Sequence, residues 1–147
     1  MTPVHKYFTV AEANRTLPLV RRIVSDILEE YRAWKEHVFR YELVAAGSSA
    51  DQGETEEQIL LRKRVDASAQ QINDYVEELA RIGCLFKGFE QGLVDFFSYR
   101  DGRDVLLCWQ HGEESVEYWH EVDVGFAGRQ SIAMVEGETG SGKREAY

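Results

Sequence analysis

The side chains with chemical potential gather late in the chain. His120 is followed by Glu121 and has Asp123 nearby, and Asp95, Cys108 and Glu117 lie upstream of it. An imidazole beside carboxylates can hold a divalent metal, or act as a general base oriented by an acid. His120, Asp95 and Glu117 are therefore the metal candidates, and a divalent metal is the single cofactor candidate. None is expected outright, because no H-E-x-x-H and no cysteine pair at zinc spacing is present. Cys108 and His111 have C-x-x-H spacing, but on a strand that odd separation sends them to opposite faces. The plainer reading of His120 is a hydrogen-bonded histidine at a sheet edge. Asp95 and Glu117 flanking Cys108 would be like charges, so burial would raise a pKa or demand a cation, with Arg129 or Arg103 as counter-charge. A pair of Asp95 with Arg129, fixing the glycine-rich loop 125–129, is the structural version. A small anion or polar ligand held by Arg129, the loop amides and Trp119 is the functional one.

These residues need a sheet to position them. Three apolar runs, 93–97, 104–110 and 115–120, are separated by turn signals and read as an antiparallel meander. Asp101 and Gly102 suit a type I′ turn, which pairs Arg100 with Arg103 and hence Asp95 with Cys108. Gly112 and Glu113 suit a type II′ turn, which pairs Trp109 with Val116 and Cys108 with Glu117. Alternation then places Val94, Phe96, Val105, Leu107, Trp109, Val116, Tyr118 and His120 on the helix-facing side. The other side carries Leu93, Asp95, Phe97, Leu106, Cys108, Gln110, Glu117 and Trp119. A slip of one residue at either turn exchanges the faces.

The sheet in turn needs a frame. Thr9 and Glu12 fit a capping box, so a helix starts near Val10, and Pro18 predicts that it is short, about two turns, with a kink or restart near Thr16. From Leu17 apolar residues step by threes and fours to Tyr41, predicting a helix over 17–45 that is roughly 43 Å long. A polar linker over 47–53 leads to a second seam from Leu61 to Ile82, stopped at Gly83 in the left-handed position. The pair reads as an antiparallel helical hairpin over about 17–83. Residues 84–87 read as an extended lead into the meander over about 92–121, Cys84 as a small buried hydrophobe, and 132–135 as one more brief strand.

With 147 residues and a formal charge of −9, the chain suits one domain over 1–135 and a mobile tail over 136–147. The acidic excess disfavours nucleic acid and membrane surfaces, and Arg62, Lys63 and Arg64 form the one basic run. Two cysteines, no signal peptide and no bilayer-length apolar run point to a reducing cytoplasm. Residues 137–143 match G-x-x-x-x-G-K, yet Arg144 stands where the magnesium-binding Ser or Thr belongs and the printed chain stops at Tyr147, so nucleotide binding is set aside.

YFT-x2-EAN-x2-LP (7–18), GLVDF (92–96), DGR (101–103), LLCW (106–109), GE (112–113), YWH (118–120) and GFAGR (125–129) together resemble a bacterial family, domain of unknown function 2203, from about Tyr7 to Ile132. That resemblance implies a small bacterial protein with no assigned substrate. It groups Asp95, Cys108, Trp109, Glu113, Trp119, His120, Gly125, Gly128 and Arg129 as one set. Phe97 stands where the family often has proline, and the 88–90 step departs too; both bear on loop shape.

The expected protein is α+β: a short N-terminal helix and a long antiparallel helical hairpin, with coiled-coil spacing, packed on a three-stranded β-meander. Large apolar groups on both sheet faces favour a homodimer burying Leu93, Phe97, Leu106 and Trp119. A non-enzymatic binding module, with a possible protein partner, is the first functional expectation, and its ligand candidates are Asp95, Cys108, Trp109, Glu113, Trp119, His120 and Arg129. A metal-dependent or carboxylate-based hydrolase centred on His120, Asp95 and Glu117 is the alternative.

Overall fold

Helix α1 begins where the sequence says it should. Thr9 Oγ1 accepts from the Glu12 amide at 3.0 Å, and Glu12 Oε1 accepts from the Thr9 amide at 2.8 Å. In this computed structural model, which describes residues 6–49, 51 and 53–132, α1 then runs unbroken over Val10–Ala46. The expected two-turn helix with a restart near Thr16 is corrected. Pro18 lies on the exposed side, where water can reach the Asn14 carbonyl that it leaves without its helical donor. On the opposite side Ala13, Leu17, Val20, Ile23, Val24 and Ile27 are all buried. Burial of those side chains, worth about 1.5–3 kcal/mol for each large one, outweighs the roughly 3 kcal/mol that proline costs in a helix interior.

Helix α2 spans Glu56–Ile82, capped by Thr55, whose side chain accepts from the Gln58 amide while Gln58 reaches back. It ends at Gly83 with φ 113°, the left-handed position expected, and a Cβ there would crowd the Phe8 ring at 3.0–3.2 Å. Among the described residues, neither helix is long and apolar enough to cross a membrane. The expected strand within 132–135, the tail 136–147 and the phosphate-loop-like run 137–143 lie outside the described residues, apart from Ile132.

The three-stranded meander is a five-stranded antiparallel sheet in the order β1 to β5. The strands are β1 Cys84–Gly88, β2 Leu93–Arg100, β3 Arg103–Gln110, β4 Tyr118–Glu121 and β5 Gln130–Ser131. The residues 84–87 read as a lead-in are thus an edge strand, paired Cys84 to Phe96. The β2–β3 hairpin has the expected register, Arg100 opposite Arg103 and Asp95 opposite Cys108, with Asp101 and Gly102 at φ 52° and 78°.

The β3–β4 register differs. Cys108 pairs with Tyr118 and Leu106 with His120. The turn closes one residue earlier, by the Glu113 amide donating to the Gln110 carbonyl, and centres on His111 and Gly112. The chain then leaves the sheet: the Val116 amide donates to Asn14 Oδ1 of α1 at 2.7 Å, and the Val116 side chain joins the core. Strand β4 therefore re-enters with its faces reversed, as a one-residue slip requires. Trp119 turns inward to the core with Phe96, Leu107 and Trp109, while Tyr118 and His120 turn to the outer face.

Candidate metal centre

That reversal assembles a site that the sequence alone did not give. On the outer face, Asp95 from β2 sits directly across from Cys108 of β3, and His120 of β4 stands diagonal to Cys108. One ligand atom from each of the three lies within 4.8 Å of the others, and all three residues are buried. Glu117, expected in this row, lies outside β4 and is exposed, with its carboxylate accepting from Ser115 at 3.0 Å. Cys108 takes its place as the third metal candidate beside Asp95 and His120.

The hydrogen bonds define the imidazole. His120 Nδ1 lies 2.7 Å from the Glu121 carbonyl oxygen. A carbonyl only accepts, so Nδ1 carries a proton, and in the neutral ring Nε2 then presents a lone pair. That Nε2 lies 3.3 Å from Asp95 Oδ1 and 3.3 Å from Oδ2. Two acceptors therefore face one another beside a thiol, and a cation, either proton or metal, is needed between them. Burial pushes the Asp95 carboxyl above the usual range, partly offset by His120 and by the Cys108 hydrogen bond. Burial, and then the Asp95 charge, push the Cys108 thiol up to about 12. Such a thiol is not a nucleophile in its own right at neutral pH. Cys84, also buried and pushed up to about 12, is the small core hydrophobe expected.

The donor set fits zinc. Sulfur, imidazole nitrogen and carboxylate oxygen are its usual ligands, at roughly 2.0–2.3 Å, which in tetrahedral geometry sets donors roughly 3.3–3.8 Å apart. The present spread closes with shifts of about 1 Å. The proton on Nδ1, held by a backbone carbonyl, is the outer contact that metal-bound histidines make. Three protein ligands are one fewer than tetrahedral zinc takes. The same three residues line a pocket of about 300 Å³, where a water or substrate would supply the fourth.

The pocket walls combine Leu93 and Leu106, which the sequence placed on this face, with Lys87 and Val122, which it did not place. Leu93, Leu106, Val122 and Phe126 supply apolar surface, and Lys87 stands at the rim. Lys87 is the residue by which β1 bulges: Phe86 pairs with Val94 and Gly88 with Leu93, leaving Lys87 unpaired. Leu85 pairs with Asp95, so Lys87 shares the outer face by alternation, a placement that needs the β1–β2 register.

The remaining candidates form a support rather than a second site. Arg129 pairs with Glu113 at 2.9 Å, in place of the expected pair with Asp95, and also donates to the Cys108 carbonyl at 3.4 Å. Its guanidinium sits 4.0 Å from the Tyr118 ring centroid and 4.7 Å from that of Phe126. Glu113 accepts from the Gln110 amide at 2.7 Å, and its carbonyl accepts from Trp109 Nε1 at 3.0 Å. Trp109 is fully buried and Trp119 nearly so. Arg103 pairs with Glu121, so it too is committed away from Asp95. Glu113 and Arg129 thereby tie the short 3-10 turn Phe126–Gly128 to the sheet beside the centre.

The chain belongs to the family described as Uncharacterized conserved protein (DUF2203), whose model matches residues 6–132. No curated protein and no solved structure matches it.

Proposed function

We propose that this chain is a metal protein in which Asp95, Cys108 and His120 bind one divalent transition ion, zinc by the chemistry of the donors, in a three-ligand site of hydrolytic type. The observation that carries this is the convergence of a buried carboxylate, a thiol and the bare Nε2 of His120, whose other nitrogen donates to a carbonyl. Sites with three protein ligands keep a position for water, which a bound zinc acidifies toward a pKa of about 7. Of the hydrolase triad expected from sequence, His120 and Asp95 stay and Cys108 replaces Glu117. A binding module built on Trp119 and Arg129 has less support, because both side chains are committed inside the chain.

We also infer that the two helices form the antiparallel hairpin expected. Leu43 and Val44 share a pocket with Leu60 and Leu61, and Tyr31 and Trp34 share one with Ala69 and Ile72, the neighbour order of an antiparallel hairpin. A homodimer, if formed, uses a surface other than the one expected, since Leu93, Leu106 and Trp119 are buried within one chain.

Cobalt titration of chelator-treated protein tests the site. Thiolate coordination gives an intense near-ultraviolet charge-transfer band, which saturates at one equivalent and is lost in Cys108→Ala. Absence of that band, or its persistence in Cys108→Ala, refutes the assignment.

A further inference from the structure

We infer that the pocket beside the metal centre takes a small organic monoanion, a carboxylate on a short apolar body, with its charge shared between Lys87 and the ion; this rests on the metal reading above. Three observations converge. First, charge: a divalent ion balanced by the Asp95 carboxylate and a Cys108 thiolate is neutral, and the Lys87 ammonium leaves the pocket with one net positive charge. Among the described residues Lys87 forms no ion pair of its own, and its field reaches Asp95. Second, placement: Leu85 stands opposite Asp95, so alternation puts Lys87, two residues on, on the same outer face, and at the bulge its backbone is released from the ladder beside the pocket.

Third, size and polarity: about 300 Å³ is space for about ten waters at roughly 30 Å³ each, the low end for ligand pockets. Leu93, Leu106, Val122 and Phe126 offer apolar contact to whatever the charged end does not occupy. Leu93 and Leu106 are almost fully buried, so these walls are fixed, while Val122 is half exposed and marks the entrance. A dianion would leave a surplus charge beside the Asp95 carboxylate. A neutral molecule would forgo the Lys87 interaction. Neither uses what the pocket offers as fully as a monocarboxylate.

The test uses full-length protein loaded with cobalt, with benzoate and hexanoate as probes and benzyl alcohol and hexanol as neutral counterparts. Each is titrated while the visible cobalt spectrum is recorded. Both carboxylates are expected to shift the spectrum saturably and both alcohols to bind at least tenfold more weakly. Lys87→Met is expected to take up cobalt normally and to bind the carboxylates about fivefold more weakly, the size of a partly exposed ion pair. Normal cobalt uptake with no carboxylate response, or with equal response in Lys87→Met, overturns this inference and leaves the metal centre standing. Failure to take up cobalt overturns both.

Discussion

Replacing Asp95 by Asn separates a metal ligand from a structural ion pair. Without metal, the Asp95 carboxylate is a buried group whose pKa is raised by burial, against the opposing attraction to His120. A raised folded pKa means that this group favours the fold below its unfolded value of about 3.9, and that the contribution is lost as pH rises through the folded value. At neutral pH the ionised group is therefore a liability in metal-free protein, and Asp95→Asn is expected to melt at the same temperature or higher. With zinc at 100 times its dissociation constant, linkage stabilises the parent protein by about 2.7 kcal/mol. For 147 residues that is a rise of about 5–10 °C. Loss of the carboxylate ligand weakens binding about 100-fold, the upper end of what outer contacts alone contribute. At the same zinc concentration the variant then gains only about 0.4 kcal/mol, about 1 °C. Differential scanning calorimetry with and without zinc reads both quantities. A zinc shift retained in full by the variant, or a metal-free variant melting well below the parent, would refute the reasoning and make the contact with His120 structural.

Other perturbations have equally definite outcomes. Trp119→Ala empties a buried site beside Phe96 and Leu107 and is expected to cost about 3–5 kcal/mol in urea denaturation; a loss under 1 kcal/mol would show that Trp119 is not in the core. Pro18→Ala restores an amide donor in the middle of α1 and is expected to stabilise by about 1–3 kcal/mol, with a matching rise in the urea midpoint; a destabilised variant would mean that Pro18 is needed for the helix path. Glu12 is held below the usual carboxylate range, mainly by the Thr9 backbone amide that donates to it. Its contribution is therefore present above about pH 4.3 and lost as pH falls through the depressed folded value. Glu12→Gln should accordingly narrow its stability gap to the parent protein in acid, and a gap unchanged from pH 7 to pH 2 would exclude the capping carboxylate as its source.

Much of the frame was legible because its signals are local. Thr9 with Glu12 and Gly83 after Ile82 mark helix ends by chemistry confined to a few residues. Asp101 and Gly102 fix one hairpin because both must take positive φ, and so Asp95 was placed opposite Cys108 from sequence alone. The second turn failed for a specific reason. Moving the turn by one residue would by itself keep the faces, but the chain then leaves the sheet and re-enters with Cys108 opposite Tyr118 instead of Glu117, which exchanged Trp119 with His120 between faces and removed Glu117 from the site. What decides between the two is tertiary, the hydrogen bond from Val116 to Asn14 on a helix 102 residues away in sequence. Pro18 misled in the same way, since only the burial of the opposite face shows why the helix continues. Lys87 was invisible because residues 84–87 carry no turn signal that pairs them with β2, and its face follows only from Leu85 standing opposite Asp95.

The most direct test is the metal content of the protein itself. Tag-free protein, incubated with a small excess of zinc and passed through gel filtration, is assayed by inductively coupled plasma mass spectrometry beside Cys108→Ala combined with His120→Ala. One zinc per parent chain, and none in the folded double variant, is the predicted result. Parent protein that emerges without metal, or a double variant that retains it, would contradict a centre formed by Asp95, Cys108 and His120.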